Sequence, residues 1–333
     1  MQPRVAVMGA GSWGTTVAKL ASHNAPTVLW SRNADLADEI NRAHSNERYL
    51  PGVRLPEDVR ATHSIEEAVR DADVVVMGVP SHGFRAVLDE VAKSIREGVS
   101  VISLAKGLEE GTLLRMTEVI AEVLPGHPAG VLTGPNLAKE ILAGEAAASV
   151  IAMDDHSLAG KIQDVFRSGL FRVYTNHDVI GCEIGGALKN VIAIASGMGD
   201  GVGVGDNTRA AVITRGLAEL TRLGVAMGAE AQTLYGLAGM GDLVATCISP
   251  QSRNRFVGEE LGKGRPIAEI IDDMHMVAEG VKTCRVVIEL ADRYGIELPI
   301  AREVYGAVYG GRTARQAYRG LIRTRAGAEH EPG

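Results

Sequence analysis

The stretch VAVMGAGSWG, residues 5–14, lies almost at the start of the chain and decides its fold. Four apolar residues predict a strand that breaks directly into a Gly-x-Gly-x-x-Gly pattern, and a helical pattern follows from Thr15 to Ser22. Gly9 permits a tight turn, Gly11 lets backbone N–H groups approach a pyrophosphate, and Gly14 lets the helix pack closely on the sheet. Because the helix N-terminus presents the positive end of its dipole, this segment predicts a dinucleotide site.

Later apolar runs extend the strand pattern and alternate with helical stretches. They span Thr27–Trp30, Ala72–Pro80, Val99–Leu104, Val131–Thr133, Ser149–Ala152 and Arg172–Tyr174. This alternation predicts an α/β fold, an N-terminal Rossmann-like doubly wound sheet, mostly parallel, with ligands at the carboxyl ends of its strands. From about Asp178 the β pattern stops, which predicts a dinucleotide-binding domain over 1–180 and an all-α substrate domain over 181–333. The polar tail from about 324 is expected to fray.

The residues after the second predicted strand bear on the choice of cofactor. This position ordinarily holds an acidic residue for the ribose 2′-hydroxyl of NAD, but here it reads Ser31-Arg32-Asn33. Arg32 can pair with a 2′-phosphate, which favours NADP(H) or use of both NADP(H) and NAD(H). The alternative is that Arg32 is a solvated loop arginine.

Composition excludes several classes of function. The net charge of −7 and the low aromatic content argue against nucleic acid or an anionic membrane as the main partner. No apolar stretch of about twenty residues is evident, so no membrane span is expected. The three cysteines (Cys182, Cys247 and Cys284) are widely spaced, there is no leader pattern, and no metal-ligand spacing occurs. These features predict a cytoplasmic enzyme with reduced thiols and no metal.

Lys189 stands out in the second half of the chain because it lies inside an otherwise small and apolar helical stretch. Gly181 and Gly185 share its helix face at four-residue spacing, so a ligand or a backbone segment can reach the lysine amine. A partly desolvated lysine can exchange a proton near neutral pH, which makes Lys189 a candidate acid. Alternatively, Lys189 reaches from a helix end to solvent.

Two further segments offer polar groups to a ligand. Asp242, with Thr246 four residues later, follows a glycine turn, where its carboxylate can act as a ligand group or as a simple helix N-cap. Ser252, Arg253 and Asn254 offer a hydroxyl, a guanidinium and an amide, which suit phosphate oxygens. The alternative for this tripeptide is an exposed turn.

These motifs, taken in order, resemble bacterial NAD(P)-dependent glycerol-3-phosphate dehydrogenase from the first strand to about Arg312. They are the glycine loop with Trp13, Ala105-Lys106-Gly107, Gly134-Pro135-Asn136-Leu137-Ala138-Lys139-Glu140, Ala187-Leu188-Lys189-Asn190, Gly205-Asp206-Asn207-Thr208-Arg209, Gly241-Asp242-Leu243, Ser252-Arg253-Asn254 and Glu279-Gly280-Val281-Lys282-Thr283. The resemblance implies reversible hydride transfer between NAD(P)H and dihydroxyacetone phosphate, giving sn-glycerol 3-phosphate for phospholipid synthesis. It also implies a homodimer.

The resemblance further implies a role for individual residues. Lys189 would be the catalytic proton donor. The substrate would be bound by Lys106, Gly134, Asn136, Lys189, Asp242, Thr246, Ser252, Arg253 and Asn254. The cofactor would be bound by Gly9, Gly11, Ser12, Trp13, Gly14, Arg32, Lys106, Ala138, Arg253, Val277 and Glu279. Asn136 and Met240 depart from the residues expected at their positions, which bears on substrate geometry rather than on the reaction.

Two other functions fit parts of the sequence. A reductase of a small keto or hydroxy acid has the same architecture, but it needs a carboxylate-binding arginine or backbone nest in place of the Ser252–Asn254 clamp. A non-catalytic dinucleotide sensor is expected to have lost Lys189 or Asp242, and both are present.

Overall fold

The computed structural model describes residues 2–274 and 278–323, and the chain divides into two compact units. The first unit comprises Met1–Lys106 and Arg115–Val179, and the second comprises Gly107–Leu114 and Ile180–Gly333. The short segment 107–114 therefore belongs to the second unit, which no sequence pattern indicated. The tail from about 324 lies outside the described residues.

The first unit is built on an eight-stranded sheet flanked by helices, as the sequence predicts. Its strands are β1 (Val5–Met8), β2 (Thr27–Trp30), β5 (Val59–Thr62), β6 (Val74–Met77), β7 (Ser100–Ser103), β8 (Ala129–Thr133), β9 (Ala147–Met153) and β10 (Phe171–Asn176), and a separate hairpin joins β3 (Ser45–Asn46) to β4 (Leu50–Arg54). Its helices are α1 (Ser12–Ser22), α2 (Ala34–Ala43), α3 (Ile65–Val69), α4 (Ser81–Val91), α5 (Met116–Val123), α6 (Ala138–Leu142) and α7 (His156–Phe166).

The strand order is β10-β9-β8-β7-β6-β1-β2-β5, and neighbouring strands are parallel except for the antiparallel pair β8 and β9. The chain builds outward from β1 in both directions, so the switch point that receives ligands in doubly wound sheets lies beside β1. β5 was not predicted, because it is a four-residue edge strand that contains the exposed Arg60 and lacks a long apolar run.

The second unit is helical in its described residues, in agreement with the sequence analysis. It contains α8 (Val179–Val202, whose first residue belongs to the first unit), α9 (Asp206–Ala226), α10 (Ala231–Leu234), a π-helical turn (Leu237–Gly241), α11 (Asp242–Ile248), α12 (Arg253–Gly262), α13 (Ile267–Asp272), α14 (Glu279–Tyr294), α15 (Pro299–Val308) and α16 (Ala314–Arg323). One apolar cluster, which includes Ile194, Leu220, Val257 and Val287, fills the space among these helices.

Helices α8 and α12 approach each other through four glycines, here called the glycine contact: Gly197, Gly201, Gly258 and Gly262. A Cβ at Gly197 would lie 2.0 Å from the carbonyl oxygen of Arg255, and one at Gly258 would lie 2.0 Å from that of Ile194. Any side chain would force the two backbones apart, so glycine is required here by packing rather than by backbone conformation. The contact fixes α12 against α8.

Helix α8 bears on the expectation that the chain has no membrane span. By length and composition it could cross a bilayer, with a mean hydropathy of 1.4 over a stretch of 18 residues. In the structure 94% of that 18-residue stretch is buried inside the protein. The helix also carries the buried polar residues Glu183, Lys189 and Asn190. α8 is therefore a core helix of the second unit, and no other helix among the described residues meets the same test.

Candidate active site

The glycine loop after β1 has the geometry that its pattern predicts. Gly9 has a φ of +122°, and a Cβ there would lie 2.7 Å from the carbonyl oxygen of Gly78. A Cβ at Gly14 would lie 2.0 Å from the Gly9 carbonyl oxygen, whereas one at Gly11 would meet no heavy atom within 4 Å. Gly9 and Gly14 thus hold the turn against the sheet, while Gly11 leaves the backbone open to a ligand. The open backbone stands at the N-terminus of α1, where a pyrophosphate is favoured.

Ser12 and Trp13 begin α1, and their side chains differ in availability. The Ser12 hydroxyl donates to the carbonyl oxygen of Tyr49 at 3.1 Å, so a cofactor contact at Ser12 would use its backbone N–H. The Trp13 ring packs edge-on against Phe171, with 6.4 Å between centroids. Its buried indole N–H has no acceptor within the described part of the chain and can serve one supplied by a ligand.

Arg32 lies at the same edge of the sheet as the glycine loop. Met8 and Trp30 are paired residues of the parallel strands β1 and β2, so the loops after these strands emerge side by side. Arg32 is exposed, and Asn33 caps α2 by accepting from the N–H of Leu36 at 3.0 Å. Within residues 2–274 and 278–323 no ion pair to Arg32 is present, so both the 2′-phosphate reading and the solvated-loop reading stay predictions.

Lys106 and the Gly134 turn follow the parallel strands β7 and β8. The Lys106 Nζ donates to the Gly134 carbonyl oxygen at 2.7 Å. Gly134 has a φ of +126°, and a Cβ there would lie 3.2 Å from the Cα of Ser149, so both backbone conformation and space require glycine. The structure therefore brings together two residues that the family resemblance assigns to the substrate site.

Asn136 and Thr133 present polar atoms without protein partners. The amide nitrogen and oxygen of Asn136 and the hydroxyl of Thr133 are buried and have no hydrogen-bond partner among the described residues. Each unpaired buried polar group costs about 1–3 kcal/mol, so such groups mark a place where a polar ligand can complete the bonding. Ala138 begins the short helix α6 nearby in the chain and is half-buried.

Lys189 forms the centre of a buried polar group in the second unit. Its side chain is 6% exposed, and Nζ donates to Asp242 Oδ1 at 2.7 Å and to Thr246 Oγ1 at 2.6 Å. An ammonium has three N–H groups, so these bonds leave one for another acceptor. The reading of Lys189 as a lysine that reaches solvent from a helix end is wrong.

Backbone approach at a glycine explains how Asp242 reaches Lys189. A Cβ at Gly185, one turn before Lys189, would lie 2.6 Å from the carbonyl oxygen of Ala238 in the π-helical turn. The sequence left open whether a ligand or a backbone segment approaches the glycines on the Lys189 face of α8. At Gly185 the structure shows a backbone segment. Asp242 is the first residue of α11 and follows the N-cap Gly241, so the N-cap reading of Asp242 is also wrong.

The Ser252–Asn254 segment opens α12, and its ends are buried. Ser252 caps the helix by accepting from the N–H of Arg255 at 3.2 Å. Asn254 donates to Asn190 Oδ1 at 2.8 Å and accepts from the N–H of Gly280 at 2.9 Å. The exposed-turn reading is therefore wrong for Ser252 and Asn254. Asn190 stood inside one of the quoted motifs, yet its role as the partner of Asn254 was missed.

Arg253 differs from its two neighbours because its side chain reaches solvent. Surrounding protein atoms nevertheless desolvate its guanidinium and lower its pKa, and the carboxylate of Glu279, the first residue of α14, opposes that shift. An anion bound here would favour the charged guanidinium further. Val277, the other cofactor residue predicted near Glu279, lies outside the described residues.

Metal and thiol chemistry find no support in the described parts of the chain. No group of three or more His, Cys, Asp or Glu side chains that could hold a metal ion occurs there. The three cysteines are buried and form no disulfide bond, and burial raises the pKa of Cys247 and of Cys284 to about 12. These two thiols are therefore not nucleophiles near neutral pH.

Comparisons with known proteins cover nearly the whole chain. Residues 4–159 match the family model described as the NAD-dependent glycerol-3-phosphate dehydrogenase N-terminus, and residues 178–319 match the corresponding C-terminus. Glycerol-3-phosphate dehydrogenase [NAD(P)+] 2 of Sphingopyxis alaskensis is 60% identical over 100% of both chains. A Mycobacterium avium relative of the same description is 56% identical over 96% of this chain and 94% of its own.

Solved structures give the same result. The crystal structure of glycerol-3-phosphate dehydrogenase from Coxiella burnetii superimposes with a TM-score of 0.93 at 35% identity, covering 97% of this chain and 99% of that one. The resemblance identified from the sequence motifs is confirmed. This chain belongs to the NAD-dependent glycerol-3-phosphate dehydrogenase family.

Proposed function

We propose that this protein catalyses reversible hydride transfer between NAD(P)H and dihydroxyacetone phosphate, giving sn-glycerol 3-phosphate. The observation that carries the proposal is the buried Lys189, held by Asp242 and Thr246, in a chain that belongs to this dehydrogenase family. The expected net direction is reduction, which supplies sn-glycerol 3-phosphate for glycerophospholipid synthesis.

Lys189 would act as the proton donor during reduction and as the acceptor in the reverse direction. When bound, the nicotinamide cofactor supplies or accepts the hydride at the substrate's second carbon. As negative charge develops on the ketone oxygen, the remaining N–H of the ammonium can stabilise that oxygen and transfer its proton. Asp242 and Thr246 would hold Nζ in place, and because both are buried, solvent does not compete for the lysine.

The residues of the glycine loop fit the cofactor. Gly11 provides the open backbone, and the helix dipole of α1 favours the pyrophosphate, while Gly9 and Gly14 maintain the turn. We assign the other cofactor contacts from the family motifs. They are Ser12, Trp13, Arg32, Lys106, Ala138, Arg253, Val277 and Glu279.

The substrate residues divide by the group they would bind. Lys106, Gly134 and Asn136 would hold the substrate near the nicotinamide, and the unpartnered amide of Asn136 supports its inclusion. Ser252, Arg253 and Asn254 would bind the phosphate, with Arg253 supplying the charge. Binding energy from a phosphate remote from the reacting carbon orients the ketone for reaction.

We further propose that the protein works as a cytoplasmic homodimer, without nucleic acid as a partner. The dimer and the compartment come from the resemblance, and the absence of a nucleic-acid partner comes from the net charge of −7. Size-exclusion chromatography with light scattering tests the dimer. A monomeric mass at micromolar concentration would contradict it.

The deciding experiment follows near-ultraviolet absorbance while the purified protein oxidises NADPH, and then NADH, with dihydroxyacetone phosphate. Unphosphorylated dihydroxyacetone is the matched control, since it differs only in the phosphate. Oxidation that depends on the phosphate supports the function and measures the cofactor preference. Cofactor binding without oxidation would instead favour a keto-acid substrate or a sensing role.

A further inference from the structure

The motif Gly205-Asp206-Asn207-Thr208-Arg209 has no part in the proposed reaction, yet its arginine pairs with a buried carboxylate. Arg209 directs Nε and Nη2 to Asp200 Oδ1, at 2.9 Å and 2.7 Å. Arg255 directs Nε and Nη2 to Asp200 Oδ2, at 2.8 Å and 2.7 Å. The Asp200 side chain is 8% exposed, so both carboxylate oxygens are enclosed by guanidinium groups. This triad is called the Asp200 clamp.

The Asp200 clamp joins three helices at one point. Asp200 lies on α8, Arg209 in the first turn of α9 and Arg255 in the first turn of α12. The glycine contact brings the same stretches of α8 and α12 together, since Gly197 packs on the carbonyl oxygen of Arg255 itself. The clamp fixes the direction in which α12 starts, and the glycines fix how closely it lies. Together the clamp and the glycines hold the beginning of α12 in a single position against α8.

That position matters because each helix carries a different part of the proposed site. Lys189 lies about three turns before Asp200 on α8. Arg255 follows the Ser252–Asn254 phosphate segment directly, and its own backbone N–H donates to the Ser252 side chain. A shift of Arg255 would therefore move the phosphate segment relative to the lysine.

We propose that Asp200, Arg209 and Arg255 are positioning residues that set the distance between the proton donor Lys189 and the phosphate segment Ser252–Asn254. The inference rests on the proposed function and deepens it. A substrate anchored by its phosphate reaches Lys189 only if this distance matches its length. The clamp would thus contribute to specificity for a phosphorylated three-carbon ketone without contacting it.

The test compares two substrates in matched variants of the whole protein. Asp200→Asn keeps the shape of the side chain and removes the charge that the two arginines share, while Arg209 keeps its exposed pair with Asp206. We expect the KM for dihydroxyacetone phosphate to rise about tenfold or more, while kcat/KM for dihydroxyacetone changes by less than about twofold. Dihydroxyacetone needs Lys189 but has no phosphate to place. The control is Glu219→Gln, the same chemical change at a buried carboxylate on α9 that bonds to α15 instead.

Conservative variants keep the test decisive if Asp200→Asn does not fold. Arg255→Lys retains the charge but not the two-N–H contact, so its KM should lie between those of the wild type and Arg255→Met. The inference would be overturned if the clamp variants lost kcat/KM equally for both substrates. It would also be overturned if the KM for dihydroxyacetone phosphate rose as much in Glu219→Gln as in Asp200→Asn. Failure of the proposed function looks different, because the wild type itself would then show no preference for the phosphorylated ketone.

Discussion

The two units of the chain differ in the charges they bury. Among the described residues the buried charged residues are Asp178, Glu183, Lys189, Glu219 and Asp242, and Asp200 buries its carboxylate as well. All of these except Asp178 belong to the second unit. Asp178 belongs to the first unit, where it directly precedes the final residue, Val179. The first unit instead buries apolar strands and neutral polar groups, and its cofactor loop depends on glycine backbone.

The difference shows that the two units prepare for ligands by different physical means. A pyrophosphate needs N–H groups and space, which glycine supplies by having no side chain. Proton transfer needs an ionisable group held away from water, which requires a buried partner such as Asp242. We therefore expect substitutions in the glycine loop of the first unit to act on cofactor binding, and substitutions at the buried charges of the second unit to act on turnover and on pH dependence.

The largest effect is expected at Lys189. Lys189→Ala should lower kcat by a factor of about 100 to 10,000, because the developing alkoxide loses its proton donor. The dissociation constant for NADPH, measured by fluorescence titration, should remain close to that of the wild type. Because the change removes the ammonium that pairs with the buried Asp242 carboxylate, Lys189→Met combined with Asp242→Asn controls for folding. A variant that keeps most of its turnover would remove Lys189 as the acid.

Glu219 should make stability depend on pH. Burial raises its pKa from 4.5 to about 7, against the hydrogen bonds from the N–H groups of Ile300 and Ala301. The folded state therefore binds the proton more tightly than the unfolded state. The resulting stabilisation is complete below pH 4.5 and is lost as the pH rises to about 7, a change on the order of 3 kcal/mol.

Urea unfolding of the wild type and of Glu219→Gln across this pH range measures the effect. The glutamine variant cannot titrate at this position, so the unfolding free energy of the wild type minus that of the variant should fall as the pH rises from 4.5 to about 7. If this free-energy difference stayed constant from pH 4.5 to 7, burial would not raise the pKa of the Glu219 carboxyl.

A pair of identical substitutions in the glycine loop separates packing from binding. Gly14→Ala should reduce the free energy of unfolding by about 1–3 kcal/mol, because its Cβ would meet the Gly9 carbonyl oxygen. Gly11→Ala should leave stability within about 0.5 kcal/mol of the wild type while weakening NADPH binding, because its Cβ points into open space. Thermal unfolding and cofactor titration of both variants check this. Equal losses of stability would contradict the division.

The smallest effect is expected at Arg32. Arg32→Asp should shift the ratio of kcat/KM for NADPH and NADH toward NADH by about tenfold, because a 2′-phosphate partner is exchanged for a 2′-hydroxyl acceptor. Arg60→Asp, an exposed change of the same kind on the edge strand β5, is the matched control. An unchanged ratio in Arg32→Asp would leave Arg32 as a solvated loop residue.

Much of the fold followed from the sequence because its signals are local. The second strand was predicted near Thr27 to Trp30, where the structure has it, and the glycine loop was assigned glycine by glycine. The polar site was harder to predict from the sequence, because Asp242 and Asn254 occur in local contexts that also suit a cap or a turn. Only their packing against α8 distinguished these readings.

The sequence by itself determined the parallel sheet, the dinucleotide loop, the helical second half and the family, since each depends on residues that are close in the chain. The tertiary structure decided which charges meet. Lys189 pairs with Asp242, which lies 53 positions later in the chain, and Asp200 pairs with Arg255, which lies 55 positions later. Contacts of that kind depend on how closely two backbones approach. The sequence shows the glycines that permit the approach, but it does not show which backbone segment each glycine contacts. Their meaning becomes visible only once the helices are packed.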